Sequence, residues 1–274
     1  MLTDQQEKKL RQYFQAGELT ELNVEHAATI ADKSGCSMKE VEWYALDKGI
    51  EPLRYRRNLG TLGFDGQKKL LESTIIVCGL GGLGGHIKEQ CARAGVGTII
   101  GADYDVFDAT NLNRQILSST DTLGEKKVDA AKKRIEKINP AIEFIGCHCK
   151  FGEIVDRYWQ NADIVFDCLD SIPDRMELAE KCESHNLPMI HGAIAGWYGQ
   201  VAVVWPGSTI LDTIYKGQGK GIESETGTPP FTAAATASIM AAKGIKILAG
   251  KKIEKKQQII FFDLLEDDWE TIKL

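Results

Sequence analysis

No CxxC pair occurs anywhere in the 274-residue chain, and its seven cysteines are scattered. That excludes a zinc site with paired cysteine spacings and a disulfide framework of the kind that staples small secreted domains. Reduced, buried thiols are the expectation. Cys147-His148-Cys149 is the densest cysteine cluster; it falls in AIEFIGCHCK, whose alternation predicts a strand with both cysteines on one face. No apolar run approaches the ~20 residues that span a bilayer, and the opening residues MLTDQQEKKLRQYF lack a signal peptide's apolar core. A cytoplasmic protein without membrane association is expected. Positive charge is also short: 33 Lys and Arg against 39 Asp and Glu give a net charge of −6. This argues against a general nucleic-acid binder, yet a local basic pocket remains open. No internal repeat is visible. Hydrophobic residues at 43 % and charged residues at 26 % are ordinary for a globular chain, long enough for one large α/β domain with a small appendage.

Residues 1–50 read as helices. Leu2, Leu10, Tyr13 and Phe14 give a loose helical stripe, and Val24 to Lys33 fits a second helix stopped by Gly35. Ser37 with Glu40 three residues on fits a capping box opening a third helix, which runs to about Lys48 before Gly49 and Pro52. Ser34 to Ser37 between two helices suggests a helix-turn-helix, but the candidate second helix is not notably basic. Packing or partner binding is the expected role.

From Ser73 the pattern changes. STIIVC is a short apolar run, GLGGLG follows, and Gly82 to Ala94 reads as a helix. TIIGADYD, AIEFIGCH, ADIVFDCLD and LPMIHGA fit strands, with helices at about 124–138 and 174–185. This alternation predicts a doubly wound, mainly parallel α/β sheet. GQVAVVWPG then suggests an antiparallel extension. Residues 207–230, rich in Gly, Thr, Ser and charge, read as a long mobile loop, 231–248 as an alanine-rich helix, and QQIIFFDLL and WETIKL as closing strands.

Gly79-x-Gly81-x-x-Gly84 follows a strand and opens a helix. Glycines there permit a tight turn and bring backbone N–H groups to phosphate oxygens at the helix N-terminus. Asp103, at the end of the next strand, is placed to bind ribose hydroxyls. The pair alone fits a dinucleotide such as NAD and a mononucleotide equally. The next loop adds Asn111, Asn113, Arg114 and Gln115, and Lys127 follows. Hydride transfer has little need of an Arg and a Lys at one nucleotide, whereas a triphosphate does; a solvated charged loop is the bland alternative. Asp167 and Asp170 end the buried run IVFD at the carboxyl edge, where such sheets bind ligands. Asp170 also stands where it could help cap the helix that starts at Ser171 and Pro173.

RYxRN at 54–58, GFDGQ at 63–67, GLGGLG, NLNRQ at 111–115, GEKKV at 124–128, DCLDS at 167–171, HGAIAGWYGQ at 191–200 and AAKGIKILAG at 241–250 occur in one order. In these motifs the chain resembles the MoeB/ThiF/HesA adenylyltransferases of the ubiquitin-activating superfamily, from about Arg54 to Gly250. The resemblance implies a 53–274 adenylating domain with a crossover at about 207–230, preceded by the 1–52 helical segment. It implies that the C-terminal glycine carboxylate of a small ubiquitin-like carrier (MoaD- or ThiS-type, ending in Gly-Gly) attacks the α-phosphate of ATP and releases pyrophosphate. Nucleotide binding would then fall to Gly79, Gly81, Gly82, Gly84, Asp103, Asp105, Asn111 and Gln115. Arg114 and Lys127 would act on the triphosphate, and Asp170 would hold Mg2+ through ATP. A homodimer is implied, in which Arg57 of RYxRN reaches the neighbouring subunit's site, with Arg54 and Arg56 as alternatives.

Two departures narrow the resemblance. The two zinc-binding CxxC pairs of most MoeB and ThiF members are missing, and so is a crossover cysteine, since the last cysteine is Cys182. The expectation is therefore adenylation without a zinc site and without an enzyme cysteine intermediate. Adenylation of another carboxylate or peptide, a nucleotide-binding regulator worked by the N-terminal helices, and an NAD-dependent oxidoreductase remain as alternatives.

Overall fold

The computed structural model describes residues 2–14, 19–216, 221 and 223–273. Three short helices open the chain: α1 (Asp4–Arg11), α2 (Val24–Ser34) and α3 (Met38–Asp47). Their ends follow from local chemistry. The Asn23 side chain accepts from His26 N–H at 2.7 Å, Gly35 turns left-handed with φ 68°, and Ser37 and Glu40 cap each other reciprocally. Leu10, Phe14, Ile30, Val41 and Tyr44 close a small core of their own. Two features went unforeseen. A two-stranded parallel pair, β1 (Glu21–Leu22) and β2 (Glu51–Pro52), brackets α2 and α3. RYxRN starts on a 3-10 turn (Leu53–Tyr55) and runs into one long helix, α4 (Arg56–Glu72), which also carries GFDGQ and is kinked at Gly63 with φ 74° and ψ 171°.

Beyond it stands an eight-stranded sheet: β3 (Thr74–Cys78), β4 (Thr98–Ala102), β5 (Glu143–Cys147), β6 (Ile164–Asp167), β7 (Met189–Ala195), β8 (Tyr198–Val204), β9 (Gln258–Asp263) and β10 (Asp268–Lys273). Their spatial order is β10-β9-β8-β7-β6-β3-β4-β5. The five strands from β7 to β5 are parallel, and β8, β9 and β10 extend the sheet antiparallel. Parallel strands covered on both faces read as unbroken apolar runs. In TIIVC, Ile75 and Val77 enter one core while Ile76 enters the other. Helices α5 (Gly82–Ala94), α6 (Lys127–Ile138) and α11 (Pro230–Leu248) cover the first face. Helices α7 (Asp156–Gln160), α8 (Ile172–Ser184) and α9 (Ile210–Tyr215) cover the second. Among the described residues α11 is the one helix whose length and composition could cross a bilayer; here it packs on β7, β8 and α5, as a core helix does.

Two sequence expectations are corrected. The 207–230 segment is not all loop: α9 buries Ile210, Leu211 and Tyr215, and α10 (Glu223–Thr226) follows. Residues 217–220 and 222 of that predicted loop lie outside the described residues. The strand β5 stops at Cys147, and Cys149 N–H turns back to the Cys147 carbonyl at 2.9 Å. Cys149 therefore stands in a tight turn past the strand's end, although both thiols pack against the same core.

Candidate functional site

β3 has β4 on one side and β6 on the other. This is the point where the strand order reverses, and loops from adjacent carboxyl ends part to leave a crevice. Gly79 takes φ +89°, and a Cβ there would lie 2.7 Å from the Cys168 carbonyl oxygen. The turn after β3 thus threads against the loop after β6, which only glycine permits. Gly84 does not face the crevice; a Cβ on it would strike the Gly79 carbonyl. It lets α5 start directly on the turn.

Gly79, Gly81 and Gly82 line the crevice together with Asp103 and Asp105. Arg114, Gln115, Lys127 and Asp170 line it too. The site residues read from the sequence therefore converge, with three exceptions. Besides Gly84, Asn111 is buried and builds the loop: its Oδ1 accepts from Asp108 N–H at 3.2 Å, and its carbonyl accepts the N–H groups of Arg114 and Gln115 at 3.2 and 2.9 Å. Arg57 is the third.

Asp103 is almost fully buried. Its Oδ2 accepts from Leu80 N–H at 2.7 Å and its Oδ1 from Asp105 N–H at 2.8 Å. Burial raises its pKa, against the opposing pull of the Lys127 charge. Lys127, 6 % exposed, donates to Asp105 Oδ2 at 2.9 Å and stands 4.0 Å from Asp103 Oδ2. Two carboxylates thus hold a nearly buried ammonium at the crevice wall. Arg114 lays its stem along Gly82 and is steadied by the Thr110 carbonyl at 3.0 Å and Asn113 Oδ1 at 2.9 Å. Gln115 lies over Gly81, and its buried Oε1 has no partner among the described residues. A buried acceptor left open at a pocket wall is what a missing ligand or water leaves behind.

Asp170 presents an exposed carboxylate. It does not cap α8: Ser171 does, accepting Asp174 N–H at 3.2 Å. Asp167, read as its companion at the carboxyl edge, is fully buried and bonded to His191 Nδ1 at 2.7 Å, outside the crevice lining. The sequence reading also missed Tyr104, Cys149, Lys150, Phe151 and Arg175 in the lining. Lys150 and Phe151 follow β5, so the carboxyl-edge rule pointed at them.

Of the three RYxRN arginines, Arg54 forms an ion pair with buried Glu42 at 2.8 Å and also bonds Asn139. Burial still lifts the Glu42 pKa to about 7, despite the Arg54 charge. Arg56 engages Glu51 at 2.8 Å and Glu21 at 2.5 Å. Arg57 is exposed, with no ion pair among the described residues, and it does not line the crevice of its own chain.

Comparison with known proteins agrees with this geometry. Residues 55–274 match the ThiF family. The chain is 36 % identical over 157 residues to the sulfur carrier protein ThiS adenylyltransferase of Escherichia coli K12; that stretch covers 56 % of this chain and 62 % of the relative, less than two thirds of its length. It is 31 % identical over 233 residues to the molybdopterin-synthase adenylyltransferase of the same organism, covering 82 % of this chain and 93 % of the relative. The crystal structure of E. coli MccB with ATP shares the fold at a TM-score of 0.67 and 20 % identity, over 90 % of this chain and 82 % of that one. With a family match over most of its length and a glycine turn, basic wall and carboxylate converging at the switch point, the chain belongs to the ThiF family.

Proposed function

We propose that the protein adenylates the C-terminal glycine carboxylate of a small ubiquitin-like sulfur carrier of MoaD or ThiS type, using ATP and Mg2+. The observation that carries the reading is the meeting of the Gly79–Gly82 turn, Arg114, Lys127 and Asp170 in one crevice. Related proteins named as adenylyltransferases acting on ThiS or for molybdopterin synthase support it. A carboxylate oxygen of the carrier attacks the α-phosphorus, the bond from that phosphorus to the bridging oxygen breaks, and pyrophosphate leaves with the bond's electrons. No protein nucleophile is needed; alignment of the two reactants and neutralisation of phosphate charge supply the rate.

In this reading backbone N–H groups at the start of α5 hold phosphate oxygens. Arg114 and Lys127 meet the charge that grows toward the leaving group. Among the described residues no group of three or more His, Cys, Asp or Glu could cage a metal. A Mg2+ ion keeps most of its ligands as water and phosphate and takes one or two carboxylates, so Asp170, exposed at the crevice and across it from the Lys127–Asp105 ion pair, suits it. When bound, the ion would screen the phosphates.

Adenylation without an enzyme cysteine intermediate has support in the thiols themselves. Cys149 and Cys168 border the crevice, but burial raises the pKa of both, Cys168 well above its ordinary value. Protonated thiols are poor nucleophiles. The second reading, adenylation of a different carboxylate or peptide, uses the same wall and is distinguished by substrate. Exchange of labelled pyrophosphate into ATP that depends on a ThiS- or MoaD-type carrier is the expected result. Exchange supported only by another peptide would move the proposal to the second reading, ATP binding without any exchange would leave a regulator, and a carrier covalently attached to an enzyme cysteine by mass spectrometry would refute the non-covalent route.

A further inference from the structure

From the crevice wall inward runs a closed circuit of hydrogen bonds on the second face of the sheet. Asp167 Oδ2 meets His191 Nδ1 at 2.7 Å, and His191 Nε2 meets the Tyr215 hydroxyl at 3.0 Å. Arg175 Nη1 donates to that hydroxyl at 2.7 Å. The Nε and Nη2 of Arg175 donate to the Leu169 carbonyl at 3.1 and 2.9 Å. Leu169 N–H closes the circuit by donating to Asp167 Oδ1 at 3.1 Å. Asp167 and His191 have no exposed surface, so that end of the circuit is shielded from water, where each bond counts for more, while Leu169 and Arg175 reach the crevice wall.

The donor count fixes the protons. The Tyr215 oxygen already accepts from Arg175 and, with the Gln200 amide oriented as it is here, from Gln200 Nε2 at 3.0 Å. Its one proton therefore goes to His191 Nε2, which must be bare, and His191 carries its proton on Nδ1 toward Asp167. Burial lowers the His191 pKa, against the pull of Asp167, and so favours this neutral form.

The circuit ends on one residue, held through the two peptide groups that flank it. Leu169 is gripped at its N–H by Asp167 and at its C=O by Arg175, and the rigid peptide plane that contains that carbonyl leads directly into Asp170. On the far side Ser171 is pinned as the cap of α8. Asp170 is thus an exposed carboxylate on a clamped backbone. Tyr215, the last residue of α9 in the crossover, joins the circuit from outside the 167–191 stretch, with Gln200 of β8 donating to it.

We propose that Tyr215 is a positioning residue for Asp170, transmitting the seating of the crossover helix through Arg175 and Leu169 to the carboxylate that meets Mg·ATP. The inference rests on the functional reading above. Tyr215→Phe keeps the ring, packed edge-on to His191 at 5.7 Å between centroids, and removes only the hydroxyl. Titration calorimetry with ATP, with and without Mg2+, supplies the readout, alongside a thermal melt to check folding. Loss of a buried hydrogen bond in a network should weaken Mg·ATP binding about tenfold, leave metal-free ATP binding unchanged, and vanish in an Asp170→Ala background. Nitrogen-15 NMR should show His191 protonated on Nδ1 in the wild type. Equal weakening with and without Mg2+, full additivity with Asp170→Ala, or no change in a folded variant would overturn the assignment. Wild-type protein that fails to bind Mg·ATP at all would instead overturn the functional reading, and this inference with it.

Discussion

The two walls of the crevice are built by different physics. The wall from β3 and β4 is made of backbone and charge: a left-handed glycine, a helix start and a Lys127 held by two carboxylates. The wall from β6 carries one exposed carboxylate, Asp170, backed by a circuit of neutral and charged groups that satisfy one another. In the proposed function the first wall supplies most of the groups that meet the nucleotide, and the second places Asp170. Damage to the first should remove binding outright. Damage to the second should loosen it in a way that depends on the metal.

The largest effect expected is at Lys127. Lys127→Ala should cut carrier-dependent pyrophosphate exchange by about 100-fold or more, the usual consequence of losing a group that meets transition-state charge, while the far-ultraviolet circular dichroism stays unchanged. Next comes the turn. Gly79→Val puts a β-branched residue at φ +89° with its Cβ 2.7 Å from the Cys168 carbonyl; thermal denaturation should show a loss of about 2–4 kcal/mol. If Gly79→Val melts like the wild type, the claim that the two walls touch through this turn is wrong.

A third prediction separates the stability of the first wall from its function. Lys88, on α5, has no exposed surface, and its Nζ has no hydrogen-bond partner among the described residues. Burial depresses its pKa from 10.5 to about 7. Between those values the unfolded chain holds the proton that the folded chain has lost, so wild-type stability should rise as pH increases through that window. Lys88→Met should stabilise the fold by about 1–3 kcal/mol at neutral pH, with the gain shrinking toward pH 10. A flat difference between variant and wild type across that range would show that the amine is paired. The smallest effect concerns Arg57. Mixing Arg57→Ala and Lys127→Ala subunits should restore about a quarter of the wild-type rate if the arginine acts across a two-fold dimer; no restoration places it in its own chain or outside the site.

The same contrast explains what could be read from the sequence. The first wall was legible because its information is local: GLGGLG follows an apolar run, and Asp103, Asp105, Arg114 and Lys127 fall within one strand–loop–helix unit. The mainly parallel sheet with its antiparallel extension followed from alternating apolar and helical segments, whereas the spatial order of the strands came only with the structure. The second wall was legible only at Asp170. Its support joins Asp167 to His191 across 24 positions and Arg175 to Tyr215 across 40, and no periodicity marks such partners. Helix α9 was read as loop because six residues in a Thr- and Gly-rich stretch carry too little pattern to announce a helix; its burial against the sheet makes it one. Asn111 and Gly84 were read as ligand contacts, although their work is to shape the loop and the turn. Packing engages two of the three arginines, Arg54 with Glu42 and Asn139 and Arg56 with Glu21 and Glu51, and no sequence pattern marks those partners.

The central claim is that the crevice at Gly79 is a triphosphate site and not a dinucleotide site. Titration calorimetry of the wild type and of Lys127→Ala with Mg·ATP and with NAD tests it most directly. Saturable Mg·ATP binding that weakens at least about tenfold in Lys127→Ala, with no NAD binding, is the predicted result. NAD binding in preference to ATP, indifferent to Lys127, would contradict it.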